Sequence, residues 1–305
     1  MVIIMKKSLS SVVILGSLIL NSPVLAQSIV PASDGTGTIV NQNGVLFNIE
    51  GGTLSGDGTN LFQSFSQFNL TSEQIANFIS NPNINNILTR IIGGNPSSID
   101  GLIQLTGGNS NLFIMNPAGL IFGSNFSLNV PADFTATTAT GIGFNHNWFN
   151  AFGDNNYNNL NSDPSSFAFN LVNNGVIINS GKMEVTEGNN VNLIGGTVIN
   201  TGTITAPEGT ININAVEGTK IIKLSQEGSL LSLELDLTNS NLNLSELTPL
   251  DLPALLTGGN VNTGLEVGEN NTVNLVGSDI ALPTASGTSI VSGMMDVSGY
   301  NSSFR

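Results

Sequence analysis

Chemistry on a protein scaffold needs acids, bases or nucleophiles brought together, and this sequence offers few. Its one histidine, His146, stands in an Asn-rich stretch beside Trp148, and Arg90 is the only arginine before Arg305. Lys182, Lys220 and Lys223 are the remaining bases after Lys6 and Lys7. Polysaccharide lyases and glycoside hydrolases need carboxylates and bases gathered on one face, and this set is hard to assemble into such a site. The acidic residues Asp34, Asp57, Asp100 and Asp133 are scattered through turn-like text, next to Gly, Ile or Ala, where turn formation is their expected role. Asp34-Gly35-Thr36-Gly37 and Gly56-Asp57-Gly58 resemble calcium loops only faintly, matching neither the EF-hand spacing nor the Gly- and Asp-rich nonapeptide. A phosphate-binding loop with its Lys, a zinc cluster and a Gly-x-Ser-x-Gly elbow are all missing from the sequence. The expectation is no catalytic residue, no cofactor and no metal site, with His146 an ordinary surface histidine.

Composition narrows the class further. The chain has 305 residues, 7 Lys+Arg against 21 Asp+Glu, a net charge of −14 and no cysteine. An acidic surface repels phosphate backbones and anionic lipid, so nucleic acid is not an expected partner. Without cysteine, neither disulfides nor thiolate metal sites can hold an exported chain together, and a continuous core must do so. Only 9% of residues are charged while 40% are hydrophobic, so solubility falls to Asn, Thr, Ser and Gly, and disorder is not expected.

The elements follow from the pattern. Lys6 and Lys7, the apolar run Val12 to Leu20, and Pro23-Val24-Leu25-Ala26 form the three regions of a signal peptide over residues 1–26, the run being too short to span a bilayer. From Ile29 onward, short apolar alternations are separated by Gly, Asn, Asp and Thr, as in Gly44-Val45-Leu46-Phe47-Asn48-Ile49 and Asn111-Leu112-Phe113-Ile114-Met115, which read as strands and turns. Between Ala168 and Gly218 the units become regular: Asn173-Asn174-Gly175-Val176-Ile177, Val191-Asn192-Leu193-Ile194-Gly195, Asn200-Thr201-Gly202-Thr203-Ile204. Glu187 to Gly195 recurs as Gly268 to Gly277, and such self-similarity points to stacked coils of about 20 residues sharing one core. Asn and Thr are expected to stack on their equivalents in adjacent coils. One stretch, residues 71–92, carries helical signals: Thr71 or Ser72 as cap, Gln74 closing a capping box, and Ile75, Phe78 and Ile79 on one face. Residues 145–166 and 224–260 read as excursions from the coils.

Two Asn-Pro segments carry a resemblance. Asn81-Pro82-Asn83-Ile84 and Asn116-Pro117-Ala118-Gly119-Leu120, with the flanks Asn95 to Gly101 and Asn111 to Gly123, resemble the haemagglutination-activity (two-partner secretion) domain of filamentous-haemagglutinin exoproteins, most of all its cyanobacterial branch. That family has Asn-Pro-Asn-Leu and Asn-Pro-Asn-Gly-Ile at these places. Here Ile84 replaces Leu, nearly volume-neutral, and Ala118 replaces an Asn that could mimic a backbone turn; Pro117 and Gly119 still suit one. The resemblance covers residues 28–144 and implies an all-β, right-handed, single-stranded parallel β-helix of the pectin-lyase-like kind, with an N-terminal cap and side excursions. It divides the chain into a signal (1–26), a secretion domain (27–144) and a continuing β-helix (145–305), the last a passenger that is truncated if the chain is part of a longer exoprotein. It implies export through the periplasm, recognition by the POTRA domains of an outer-membrane β-barrel transporter, and an adhesin or structural role at the cell surface or outside it, with a glycan or protein receptor. Asn81, Pro82, Asn83, Ile84, Asn116, Pro117, Ala118, Gly119 and Leu120 would then be secretion-motif residues. The competing reading is a secreted carbohydrate-active β-helix enzyme.

Overall fold

The computed structural model describes residues 28–224, 231–234, 249–258, 261–278, 280–299 and 303–304. The expected signal peptide lies outside these residues, as does much of the 224–260 excursion.

Within the coils, strands pair in parallel with strands one coil away and not with their chain neighbours. Asn111–Met115 lies parallel between Asn86–Ile91 and Phe134–Thr137, with Leu112 opposite both Ile87 and Phe134. The chain then turns to Leu120–Phe122, which lies parallel between Ser97–Ile99 and Val176–Asn179. It turns again to Ser127–Asn129, paired in parallel with Leu102–Thr106. Each full coil so places one strand in each of three sheets, and the coils wind right-handed, as parallel crossovers nearly always do. Among the described residues the first sheet has nine strands, the second five and the third eight. The hydrogen-bonded pairs Asn86–Asn60, Asn111–Asn86 and Asn212–Asn192 are separated by 26, 25 and 20 residues, which sets the length of a coil.

The period-2 alternation decides what goes inside. Leu112 and Ile114 point into the shared core with Ile87, Phe134, Leu193 and Ile211, while Phe113 and Met115 point out. A cap closes the N-terminal end, where Thr38–Asn43 and Leu46–Gly51 form an antiparallel hairpin and Ile29–Pro31 and Thr53–Leu54 run antiparallel to Asn60–Phe68. Antiparallel strands across the end of a stack cover edges that would otherwise template further pairing.

The outward faces of two sheets are covered by excursions. Phe62, Leu88, Phe113 and Ile194 of the first sheet pack with Phe144, Phe149, Phe167 and Phe169, which come from an antiparallel side sheet built from Gly141–Phe144, Asn147–Asn150, Ser166–Phe169, Lys220–Leu224 and Leu231–Glu234. Ile121, Val176, Ile178 and Ile199 of the second sheet pack with Leu252 and Leu255 of the short helix Leu252–Gly258 and with Leu265 and Val273. The excursion expected over 145–166 is therefore present, with Tyr157–Asn159 a single 3-10 turn.

Two sequence expectations fail. Residues 71–92 are not helical: they form Ile75–Ile79 of the third sheet, a turn, and Asn86–Ile91 of the first. The Gln74 side chain does accept the Thr71 N–H at 2.9 Å, as a capping box requires, but the Gln74 N–H returns to the Thr71 carbonyl at 3.0 Å, and what closes is a β-turn. The parallel neighbours Leu46–Gly51 and Leu102–Thr106 satisfy this backbone instead. The second failure concerns the repeat. Val191–Gly195 is a coil strand, yet its echo, Val273–Leu275, is the middle of an antiparallel meander between Leu265–Val267 and Ala281–Leu282.

Candidate functional site at the Asn-Pro turns

Both Asn-Pro segments fold into the same turn. Asn81 Oδ1 accepts the Asn83 N–H at 2.9 Å and its carbonyl accepts the Ile84 N–H at 3.1 Å. Asn116 Oδ1 accepts the Ala118 N–H at 3.0 Å and its carbonyl accepts the Gly119 N–H at 3.0 Å. This is the Asx-type turn that an Asn followed by Pro favours. Gly119 adopts φ 130° as the chain leaves the turn, a value that suits glycine.

Their surroundings differ. The first turn joins the third sheet to the first, and Asn81, Pro82 and Asn83 are exposed, with only Ile84 in the core. Beneath it, Ser110 Oγ donates to the Ile84 carbonyl at 2.5 Å. The turn lines an open groove of about 530 Å³ together with Leu54, Asp57, Gly58 and Thr59. The second turn joins the first sheet to the second and is buried throughout, Asn116 being 1% and Ala118 2% exposed. Asn116 Nδ2 donates to the Asn95 carbonyl and to Ser97 Oγ, both at 3.0 Å, fastening it to the preceding coil. From the other side Gly175 presses so near that a Cβ there would meet the Pro117 carbonyl at 2.4 Å, and Leu255 stands close to Gly119. An Asn at position 118 would bury a second amide here, whereas the Ala118 N–H makes the turn's bond with no further polar group to satisfy. Leu120 opens the next strand in the core.

Asp57, one of the residues lining the groove, orders its loop. Its Oδ1 accepts Ser55 Oγ at 2.6 Å, Thr59 Oγ1 at 2.9 Å and the Thr59 N–H at 3.1 Å; Oδ2 accepts the Ser162 N–H at 3.2 Å. Burial would raise its pKa, but these donors outweigh burial and hold it at about 2. Asp34 is lowered to about 2 in the same way: burial raises it, while the Ser64 and Thr36 hydroxyls, the Thr36 N–H and Arg90 lower it further. Both carboxylates thus serve as the turn formers their context suggested. Asp100 departs from that expectation: it ties adjacent coils, receiving the N–H of Asn125 at 3.0 Å and its Nδ2 at 2.9 Å from 25 residues away.

These depressed pKa values set an acid response. An aspartate that binds its proton less tightly in the folded than in the unfolded chain stabilises the fold fully above about pH 4 and loses that contribution as pH falls through about 2. Trp148, the one tryptophan, sits half-buried in Asn147–Asn150 and reports on this region. Its fluorescence is expected to change between about pH 4 and 2, and Asp34→Asn should remove part of that transition; an unchanged profile in the variant would exclude Asp34 as a contributor.

Much of the fastening comes from Arg90, which the sequence marked only as a scarce base, and from the stacked asparagines it led us to expect. Arg90, 2% exposed, donates to Asp34 Oδ2 at 2.8 Å, to Ser64 Oγ at 3.1 Å and to the carbonyls of Asn150 and Gly153 at 2.9 Å each. An amide ladder runs across the coils at the start of the first sheet: Asn111 Nδ2 donates to Asn86 Oδ1, Asn86 Nδ2 to Asn60 Oδ1, and Asn111 Oδ1 accepts the Asp133 N–H. Asp133 in turn receives Asn190, and Asn190 the Thr210 N–H. The sequence signal for it is an Asn or Asp directly before each apolar strand. His146 occupies an exposed hairpin turn between Phe144 and Asn147, as a surface histidine would, and Lys182 pairs with Glu184 in the open.

A family model described as the TPS secretion domain matches residues 26–251. Solved structures that resemble the chain include two secretion domains. The HMW1 secretion domain from Haemophilus influenzae is 20% identical with a TM-score of 0.45, over 66% of this chain and 47% of that one. The filamentous hemagglutinin secretion domain is 17% identical with a TM-score of 0.40, over 71% of each chain. This chain thus spans about half the length of the HMW1 structure. No curated protein matches.

Proposed function

From a chain that belongs to the TPS secretion-domain family, and is therefore a two-partner-secretion exoprotein, we propose the following route and role. A dedicated outer-membrane transporter recognises the N-terminal coils through its periplasmic POTRA domains, the chain crosses the barrel unfolded, and the β-helix forms outside as an adhesin or structural surface component. The observation that carries the recognition step is the exposed turn Asn81-Pro82-Asn83 on the rim of its groove. Asn116 to Leu120 can be met by a partner only before the coils close over them, so we assign them to the unfolded or folding chain.

Adhesion by surface contact is supported by which face stays open. The first and second sheets are largely covered by excursions. The third presents Leu46, Ile75 and Leu102 in register, beside the amide row Asn48, Asn77 and Gln104, where Asn77 Nδ2 donates to Asn48 Oδ1 at 2.8 Å and Gln104 Nε2 to Asn77 Oδ1 at 3.2 Å. This uncharged stretch of the face, confined to the N-terminal coils, suits a glycan or protein receptor. The enzymatic alternative would need two carboxylates and a base converging on a concave face. Lys182, Glu184 and Asp296 share the third sheet, but Lys182 and Glu184 form a solvated pair and Asp296 accepts the Ser298 N–H at 2.8 Å.

The test is export of the full chain with and without its co-expressed transporter. Secretion that depends on the transporter is expected; equal secretion without it would overturn the route.

A further inference from the structure

We propose that residues 145–163 are a folding latch, a strap that must dock before the first coils of the helix can hold, so that the N-terminal unit closes only once the chain through Asp163 is available. The proposal goes beyond the secretion route and is independent of any transporter.

Ties from the strap reach backward to groups that are already buried. Asn60 and Asn86 are 0% and 1% exposed. Asn60 Nδ2 donates to the carbonyls of Leu160 and Ser162 at 2.9 and 2.8 Å, and Asn86 Nδ2 to Asp163 Oδ1 at 3.0 Å. The Asp57 N–H donates to Asn161 Oδ1 at 3.0 Å, and the Ser162 N–H returns to Asp57 Oδ2. Arg90 spends one guanidinium nitrogen entirely on the carbonyls of Asn150 and Gly153. The Tyr157 hydroxyl meets Thr36 Oγ1 in the cap at 2.8 Å, and its ring lies 5.1 Å from that of Phe62. Leu160 is 1% exposed. Gly56 leaves just enough room for the strap, since a Cβ there would meet the Asn158 carbonyl at 2.5 Å.

With the strap undocked, the first coils would expose Phe62 and Leu88 and leave Arg90 short of two acceptors. Buried polar groups without partners are costly, and coils of this kind cannot hold alone. Strap and first coils therefore form one cooperative unit, although more than fifty residues of chain separate the partners that close it. A chain appearing from its N-terminus passes through a stage in which the cap and first coils are present and still open.

Native-state hydrogen exchange on the full chain, read by mass spectrometry, separates a latch from a passive cover. In Leu160→Ala, the amides of Asn60–Phe68 and Asn86–Ile91 are expected to lose protection together with residues 157–163, by a common factor on the order of tenfold or more, while Val191–Gly195 keeps its protection. Loss confined to residues 157–163 would overturn the latch, and so would an equal loss in Val191–Gly195, which would make the whole helix a single unit. Should Leu160→Ala fail to fold, Tyr157→Phe, which removes only the tie to Thr36, supports the same comparison.

Discussion

Arg90→Met is expected to destabilise the protein by about 3–5 kcal/mol, the range seen when one partner of a buried ion pair is removed. Methionine fills the aliphatic path of the side chain but donates nothing. Asp34 would keep a carboxylate whose side chain is only 17% exposed, and the carbonyls of Asn150 and Gly153 would lose their donor. Arg90→Lys should recover little of the loss, because an ammonium cannot reproduce the planar fork that reaches the cap, Ser64 and the strap at once. The guanidinium also lies 5.9 Å from the centre of the Phe149 ring, so part of the cost is lost packing. Thermal unfolding followed through Trp148 measures it. A change below about 1 kcal/mol, the worth of an exposed ion pair, would show that the clamp is not what holds the strap.

Arg90 also shows where a sequence stops informing. Its partners Asp34 and Gly153 lie 56 residues before it and 63 after it, and no local pattern records contacts that excursions create by folding back. What is local was legible. The alternation Leu112, Phe113, Ile114, Met115 reads as a strand and is one, and Asn-Pro reads as a turn at both positions. The stacking of asparagines on adjacent coils was also foreseeable from their recurrence. Residues 71–92 were misleading for a physical reason. A Thr-x-x-Gln box followed by spacings of three and four arises equally from a turn, a strand and a second turn; Phe78 is fully buried while its neighbour Ile79 is 36% exposed, the signature of a pleat. The echo of residues 187–195 at 268–277 misled differently. The same strand-forming text stacks in a coil or pairs in a meander according to its neighbours in space.

That dependence on surroundings decides the second large effect. The two Asn-Pro turns are alike in their own hydrogen bonds, so any difference between Asn116→Ala and Asn81→Ala must come from what encloses them. Asn116→Ala would strip a partner from the Ala118 N–H, the Asn95 carbonyl and Ser97 Oγ under a packed coil. At about 1–3 kcal/mol for each buried group left unsatisfied, and with some relaxation, the expected loss is roughly 2–4 kcal/mol. Asn81→Ala frees one N–H at an exposed turn, where water replaces the lost acceptor, and should cost about 1 kcal/mol or less. Urea unfolding of the two variants measures this contrast, and equal losses would mean that burial is not what separates the turns. The same pair then tests recognition. If the transporter reads the exposed turn, Asn81→Ala loses export while keeping its fold, a combination that a turn serving stability alone cannot produce. Unchanged export in both variants would leave the Asn-Pro residues with no role beyond making the chain turn.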